Sequence, residues 1–241
     1  SPSRVANNAI LASEAIRRYH QVLLEYLAGA YPEINGFRVD WPEYPPYSLD
    51  DVFVDFSEPA RQAAQRMGLD FDAMREAAGN LYRHLHENLS EEQLTIWSEP
   101  DGGRQTLLRY LASHPEMAQW LSFKARLSTE LLEGFRHALD ESAGPEMKLL
   151  ANAFAPPFTL ASGLDFAAAS RYCAGACVKL YTMHWPMILK FYGDRLLGAN
   201  LSLSEPLLVR ALAHVLDIAE HEVTAQLADR RSQAQSNHTT K

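Results

Sequence analysis

Two cysteines, Cys173 and Cys177, are all that the 241 residues contain. They cannot make a disulfide framework, and a C-x3-C pair with no second pair nearby is a poor zinc site. Both read as small core residues. No apolar run approaches the ~20 residues that span a bilayer. Ser1 to Asn8 is polar and lacks the charged-then-apolar order of a signal peptide. The default expectation is therefore a cytoplasmic protein, and the N-x-S/T triplets at Asn88, Asn200 and Asn237 read as coincidence. A basic stripe is missing too. Acids and bases are mixed through a chain of net charge −8 and pI near 5.6, which argues against nucleic acid or an anionic membrane surface as partner. GxGxxG, P-loop, GxSxG, HExxH and EF-hand patterns are absent, so no cofactor is expected. His84 and His86 lie two apart on a predicted helix and do not share a face.

What is present is enough apolar residue, 47%, for one large core. Ile16, Tyr19, Val22, Leu23, Tyr26 and Leu27 recur at helical spacing within 6–30. A short β-rich run from Ile34 to Trp41 follows and is cut by Pro42. The stretch Pro42 to Ser57, with three prolines and many acids and aromatics, reads as a long loop of the kind that carries function. Helical segments run from about Glu58 to Glu141, broken near Gly68, Ser90 and Asp101–Gly103. The last of them has Trp120, Phe123, Leu127 and Leu131 on its apolar face, with Lys124 expected at the surface. Met147 to Phe154 and Ala176 to Thr182 are two further strands, separated by a short helix over Asp165–Tyr172, with Asp165 as its cap. Helices fill about 187–198 and 204–228, and the polar tail 229–241 is expected to lack structure. Strands separated by helices imply parallel pairing with right-handed crossovers. Three strands do not close a barrel of eight, so the expectation is part of an α/β barrel, a domain over 1–228 with a helical insertion at about 58–114.

In a parallel sheet, ligands sit beyond the carboxyl ends of the strands. The first strand ends in Arg38, Asp40, Trp41, Glu43, Tyr44 and Tyr47. Two carboxylates walled by aromatic rings suit glycoside cleavage, where one group donates a proton and the other attacks or activates water. The plainer alternative has Asp40 pairing with Arg38 or capping a turn, and leaves Glu43 exposed. Asn152 ends the second strand and can bond a hydroxyl. The third ends in Lys179, Tyr181, His184 and Trp185. Lys179 and Tyr181 share a strand face, and a lysine there needs a partner, for which Asp40 or Glu43 is the obvious candidate. Such pairing would lower the acid's pKa and keep it ionised. A metal site could draw only on Asp40, Glu43 and His184, so none is expected.

The runs Tyr31–Pro45, with its YPEI-x-G-hydrophobic-R-hydrophobic-D pattern, and Val178–Pro186 resemble segments of glycoside-hydrolase-type TIM-barrel proteins. The first resembles the fourth strand of such barrels, Asn152–Phe158 the following strand, and Phe123–Ala125 the helix before it. The resemblance covers most of residues 1–195. It implies a partial (β/α)8 barrel lacking its first and last strands, with Asp40 as the leading site residue, then Glu43 and His184. It also implies a hydrolase of O-glycosyl bonds with a carbohydrate substrate. In such barrels a second catalytic carboxylate commonly comes from a later strand, so the pair can be incomplete in this chain. The alternatives are a non-catalytic carbohydrate-binding barrel and a metal-dependent hydrolase using Asp40 and His184. Oligomeric state is left open.

Overall fold

A computed structural model describes residues 10–179 and 184–218. The chain is α/β, with three strands among eleven helices in the described residues. The helices are α1 (Glu14–Ala30), α2 (Leu49–Val52), α3 (Glu58–Arg66), α4 (Phe71–Glu87), α5 (Glu91–Ser98), α6 (Gly102–Ser113), α7 (Pro115–Ala143), α8 (Phe158–Ser162), α9 (Phe166–Ala169), α10 (His184–Ala199) and α11 (Glu205–Val215). The strands are β1 (Gly36–Asp40), β2 (Lys148–Ala153) and β3 (Gly175–Val178). They form one parallel sheet in the order β1-β2-β3. Among the described residues the sheet is open, with β1 and β3 at its edges, and no closed barrel is formed. The expected tail over 229–241 lies outside the described residues.

The helix boundaries follow from local chemistry. Ser13 caps α1 through a hydrogen bond from the Ile16 N–H at 3.4 Å, and Ser90 and Gln93 form a capping box on α5. Asp165, read as a cap from sequence, accepts from the Ala167 and Ala168 N–H groups at 2.8 and 3.2 Å.

The chain divides into two compact units: described residues 10–46, 50–78 and 116–179, and described residues 47–49, 79–115 and 184–218. The first holds the sheet and nearly all of α7. Trp120, Phe123, Leu127 and Leu132 of α7 are at most 1% exposed. Each such burial stabilises the fold by roughly 1.5–3 kcal/mol. Register aligns Asp40 with Asn152 and Asn152 with Cys177. One sheet face therefore carries Phe37, Val39, Leu149, Ala151 and Ala153, the last three fully buried. The other carries Arg38, Asp40, Asn152, Cys177 and Lys179. Cys177 is exposed on that second face, contrary to the expectation of a core residue, because β3 is an edge strand; Cys173 is buried as expected.

In the second unit, α5, α6, α10 and α11 gather with the end of α4. Asn200 donates to the Leu85 carbonyl at 2.8 Å, and Arg104 pairs with Asp217 at 2.8 Å. A Cβ on Gly103 would stand 2.7 Å from Val215, so this glycine lets α6 approach α11 closely.

Candidate functional site

The carboxyl ends of β1, β2 and β3 bring four of the expected site residues together. Asp40 ends β1 with its side chain 60% exposed, and Lys179, directly after β3, makes an ion pair with it. Asn152 of β2 donates from Nδ2 to Asp40 Oδ1 at 3.1 Å. Lys179 Nζ also lies 4.4 Å from the centre of the Trp41 ring, on which Phe154 is stacked at 5.6 Å. The lysine thus has the carboxylate partner that its strand position demands, and Asp40 is bonded to Lys179 rather than Arg38. Partial burial pushes the Asp40 pKa up, but the Lys179 and Asn152 hydrogen bonds and the Lys179 charge outweigh it and hold the carboxyl below its ordinary range. Arg38 is exposed on the same face of β1.

Trp41 turns the chain off the strand with a left-handed backbone, φ 54°. For a bulky residue this costs roughly 1–2 kcal/mol, which the stacked contacts of its ring help to offset. The turn sends the following residues inward. Glu43, two positions on, is 3% exposed: Oε1 accepts the Phe154 N–H at 2.6 Å, and Oε2 accepts the Ser162 hydroxyl. Burial raises its pKa to about 7, against the opposing pull of those two donors and of the Lys179 and Lys124 charges. Tyr44 is buried as well, its hydroxyl donating to Asp55 at 3.4 Å and its ring facing Lys124 Nζ at 5.2 Å.

Lys124 itself corrects the sequence reading. It is fully buried, not at the surface. Its position, four after Trp120 and three before Leu127, places it on the apolar stripe of α7, and the residue type alone suggested otherwise. Nζ donates to the Val52 carbonyl at 2.9 Å and to the Ala161 carbonyl, and lies 4.8 Å from the Trp120 ring centre. Burial lowers its pKa to about 7, opposed by the charges of Asp55 and Glu43. One turn further along α7, the Ser128 hydroxyl donates to the Pro42 carbonyl. Lys124 and Ser128 therefore hold both ends of the 42–52 segment, with Ser162 and Asp55 completing the network. Serines carry no periodic signal, but Lys124 was legible from its stripe.

Tyr47, His184 and Trp185 belong to the second unit. The Tyr47 hydroxyl and His184 Nε2 are 3.5 Å apart, with their rings edge to face at 5.5 Å. His184 opens α10 and is buried. Tyr181 lies outside the described residues.

Two cavities adjoin the strand end in the first unit. One, of about 390 Å³, is bordered by Phe37 to Trp41 and by Glu43, and backed by apolar residues of α1 and α7. The other, of about 320 Å³, is enclosed by the loop itself, with Glu43, Tyr44, Asp51, Asp55 and Phe56 in its wall. Among the described residues no three His, Cys, Asp or Glu side chains gather so as to hold a metal ion, and no helix is long and apolar enough to cross a membrane. No protein-family model matches the chain, and no curated protein matches it either.

Proposed function

We propose that the carboxyl ends of β1, β2 and β3 form a carbohydrate-processing site, in which Asp40 is the ionised carboxylate and Glu43 the proton-bearing one. The observation that carries this reading is the divergence of two carboxyls three residues apart. Asp40 is held below its ordinary pKa, whereas Glu43 is raised to about 7, and both border the same 390 Å³ cavity. Environments that push two acids apart assign one to the base or nucleophile and the other to the acid. The part of the Trp41 ring left exposed beside Asp40, 37% of the residue, offers apolar surface to a sugar, and Asn152 a hydrogen-bonding group to a hydroxyl. On this reading the three parallel strands are consecutive strands of a (β/α)8 glycoside-hydrolase barrel. The face bearing Asp40, Asn152 and Lys179 would be its interior.

A second reading, sugar binding without turnover, has its own support. Both Glu43 oxygens accept hydrogen bonds from the fold, from the Phe154 N–H and the Ser162 hydroxyl, and the residue is 3% exposed, which suits a group that anchors the loop. Hydrolysis of a panel of aryl glycosides, with Asp40→Asn and Glu43→Gln alongside, separates the two. Activity that falls by orders of magnitude in either folded variant supports the hydrolase. Sugar binding that survives both substitutions, with no turnover on any substrate, leaves a binding module and removes the catalytic roles.

A further inference from the structure

The 390 Å³ cavity has a shape that a sugar site does not require. Four consecutive residues of β1, Phe37 to Asp40, and Trp41 directly after them border it. Side chains alternate between the two faces of a strand, so no single face can present all five. Only a groove running along the strand's edge touches every one of them. β1 is an edge of the sheet in the described residues.

The backbone supports the same placement. Lys148 N–H bonds the Asn35 carbonyl at 3.0 Å, and Trp41 N–H bonds the Asn152 carbonyl at 3.3 Å. Odd-numbered residues of this segment therefore address β2. By alternation the N–H and C=O groups of Gly36, Arg38 and Asp40 point the other way, to the free edge. An edge of this kind is a template for a further strand.

The walls specify what that strand carries. On one side the groove is apolar, with Ile16, Leu24 and Leu27 of α1 and Leu131 and Phe135 of α7. Near it, α1 leaves Tyr19, Val22, Leu23 and Tyr26 exposed by 38 to 69%. On the other side stands Arg38, whose guanidinium has no partner among the described residues. Of the other charged groups at the groove, Arg17 is matched by Glu130 at 2.7 Å, Asp40 by Lys179, and Glu43 is buried and held by the Phe154 N–H and the Ser162 hydroxyl. The uncancelled charge is thus positive and lies opposite the middle of any added strand. A second copy pairing along the whole of β1 about a two-fold axis would set Arg38 against Arg38, a like-charge pair that disfavours it.

We propose that the free edge of β1 is a docking groove for an extended segment of a partner polypeptide, one that alternates apolar residues with acidic ones. Its apolar side chains fill the space under α1 while an acid meets Arg38. The inference stands on the edge and its groove; it is independent of the carbohydrate chemistry but excludes a barrel closed over β1, in which a neighbouring strand would occupy this edge.

The test uses a labelled peptide of about seven residues alternating valine and glutamate, a length that matches one ordinary strand. Binding is read by fluorescence anisotropy. The comparisons are the same peptide N-methylated at alternate amides, a valine–lysine peptide, and the Arg38→Glu variant, whose fold is checked by its thermal melt. Binding of the valine–glutamate peptide is expected, N-methylation should abolish it, and Arg38→Glu should weaken it several-fold while improving the lysine peptide. Absence of binding, or binding indifferent to N-methylation or to Arg38→Glu, overturns the proposal. A dimer in sedimentation velocity that the peptide dissociates would give the edge to a second copy and overturn it equally.

Discussion

Asp40 ends one outer strand of the sheet, Lys179 directly follows the other, and the two join across the central strand, where Asn152 donates to the same carboxylate oxygen. The two partners are unequal. The Lys179 side chain is 8% exposed and that of Asp40 60%. Removing the carboxylate strands an ammonium that water barely reaches, whereas removing the lysine leaves a carboxylate that water already solvates.

Asp40→Asn should therefore cost about 1 kcal/mol, discounted for the exposed partner, and Lys179→Met close to nothing. Denaturant titration of the two variants measures the difference. A Lys179→Met protein less stable than Asp40→Asn would sink the argument. Because the Asp40 pKa lies below its ordinary 3.8 in the fold, its contribution is present above that pH and is lost as pH falls below it. The wild type should lose this increment in acid, and Asp40→Asn should have none to lose.

Glu43 and Lys124 shape stability near neutrality, in opposite senses. Glu43 titrates at about 7 in the fold against 4.5 ordinarily. The folded chain keeps a proton that the unfolded chain has released, so this group makes stability fall as pH rises from 4.5 to 7. Lys124 titrates at about 7 against 10.5. Here the unfolded chain keeps the proton, so stability rises as pH climbs from 7 to 10.5. Their sum is a minimum near pH 7, visible in denaturant titrations from pH 5 to 9. Glu43→Gln should remove the falling limb and Lys124→Met the rising one. A limb that persists in the variant lacking its group would show that the burial of that side chain does not govern it.

The same residues show how far the sequence could be read. Asp40 and Lys179 were legible because strand alternation and the proline stop at Pro42 fix which face each occupies and where the strand ends. The parallel order followed from helices between strands. For Lys124, position outweighs charge, since Trp120 and Leu127 define the stripe of α7 on which it sits. The exposure of Cys177 is not legible locally, because burial depends on whether a strand lies at an edge, and strand order is a long-range property. The inward path of Glu43 depends on one left-handed residue, Trp41, which no local pattern announces. The open edge of β1 likewise exists only in the assembled sheet.

Gly163 offers a test of how closely α8 is set against α7. Its φ is +91°, and a Cβ there would lie 2.9 Å from Lys124 Cβ and 3.0 Å from the Lys124 carbonyl carbon. Gly163→Ala therefore meets two penalties, the left-handed backbone and a clash with a helix that cannot yield cheaply, together roughly 2–4 kcal/mol. Gly68 is the natural control, with φ +70° and nothing within 4 Å of its Cβ position. Gly68→Ala should show the backbone penalty alone, about 1 kcal/mol. The difference between the two, read from denaturation midpoints, isolates the packing of Gly163 on Lys124. The displaced lysine should also lose its bonds to Val52 and Ala161, which tie down the loop beyond Asp40. If Gly163→Ala costs no more than Gly68→Ala, α8 has room to move and the buried lysine is not what fixes that loop.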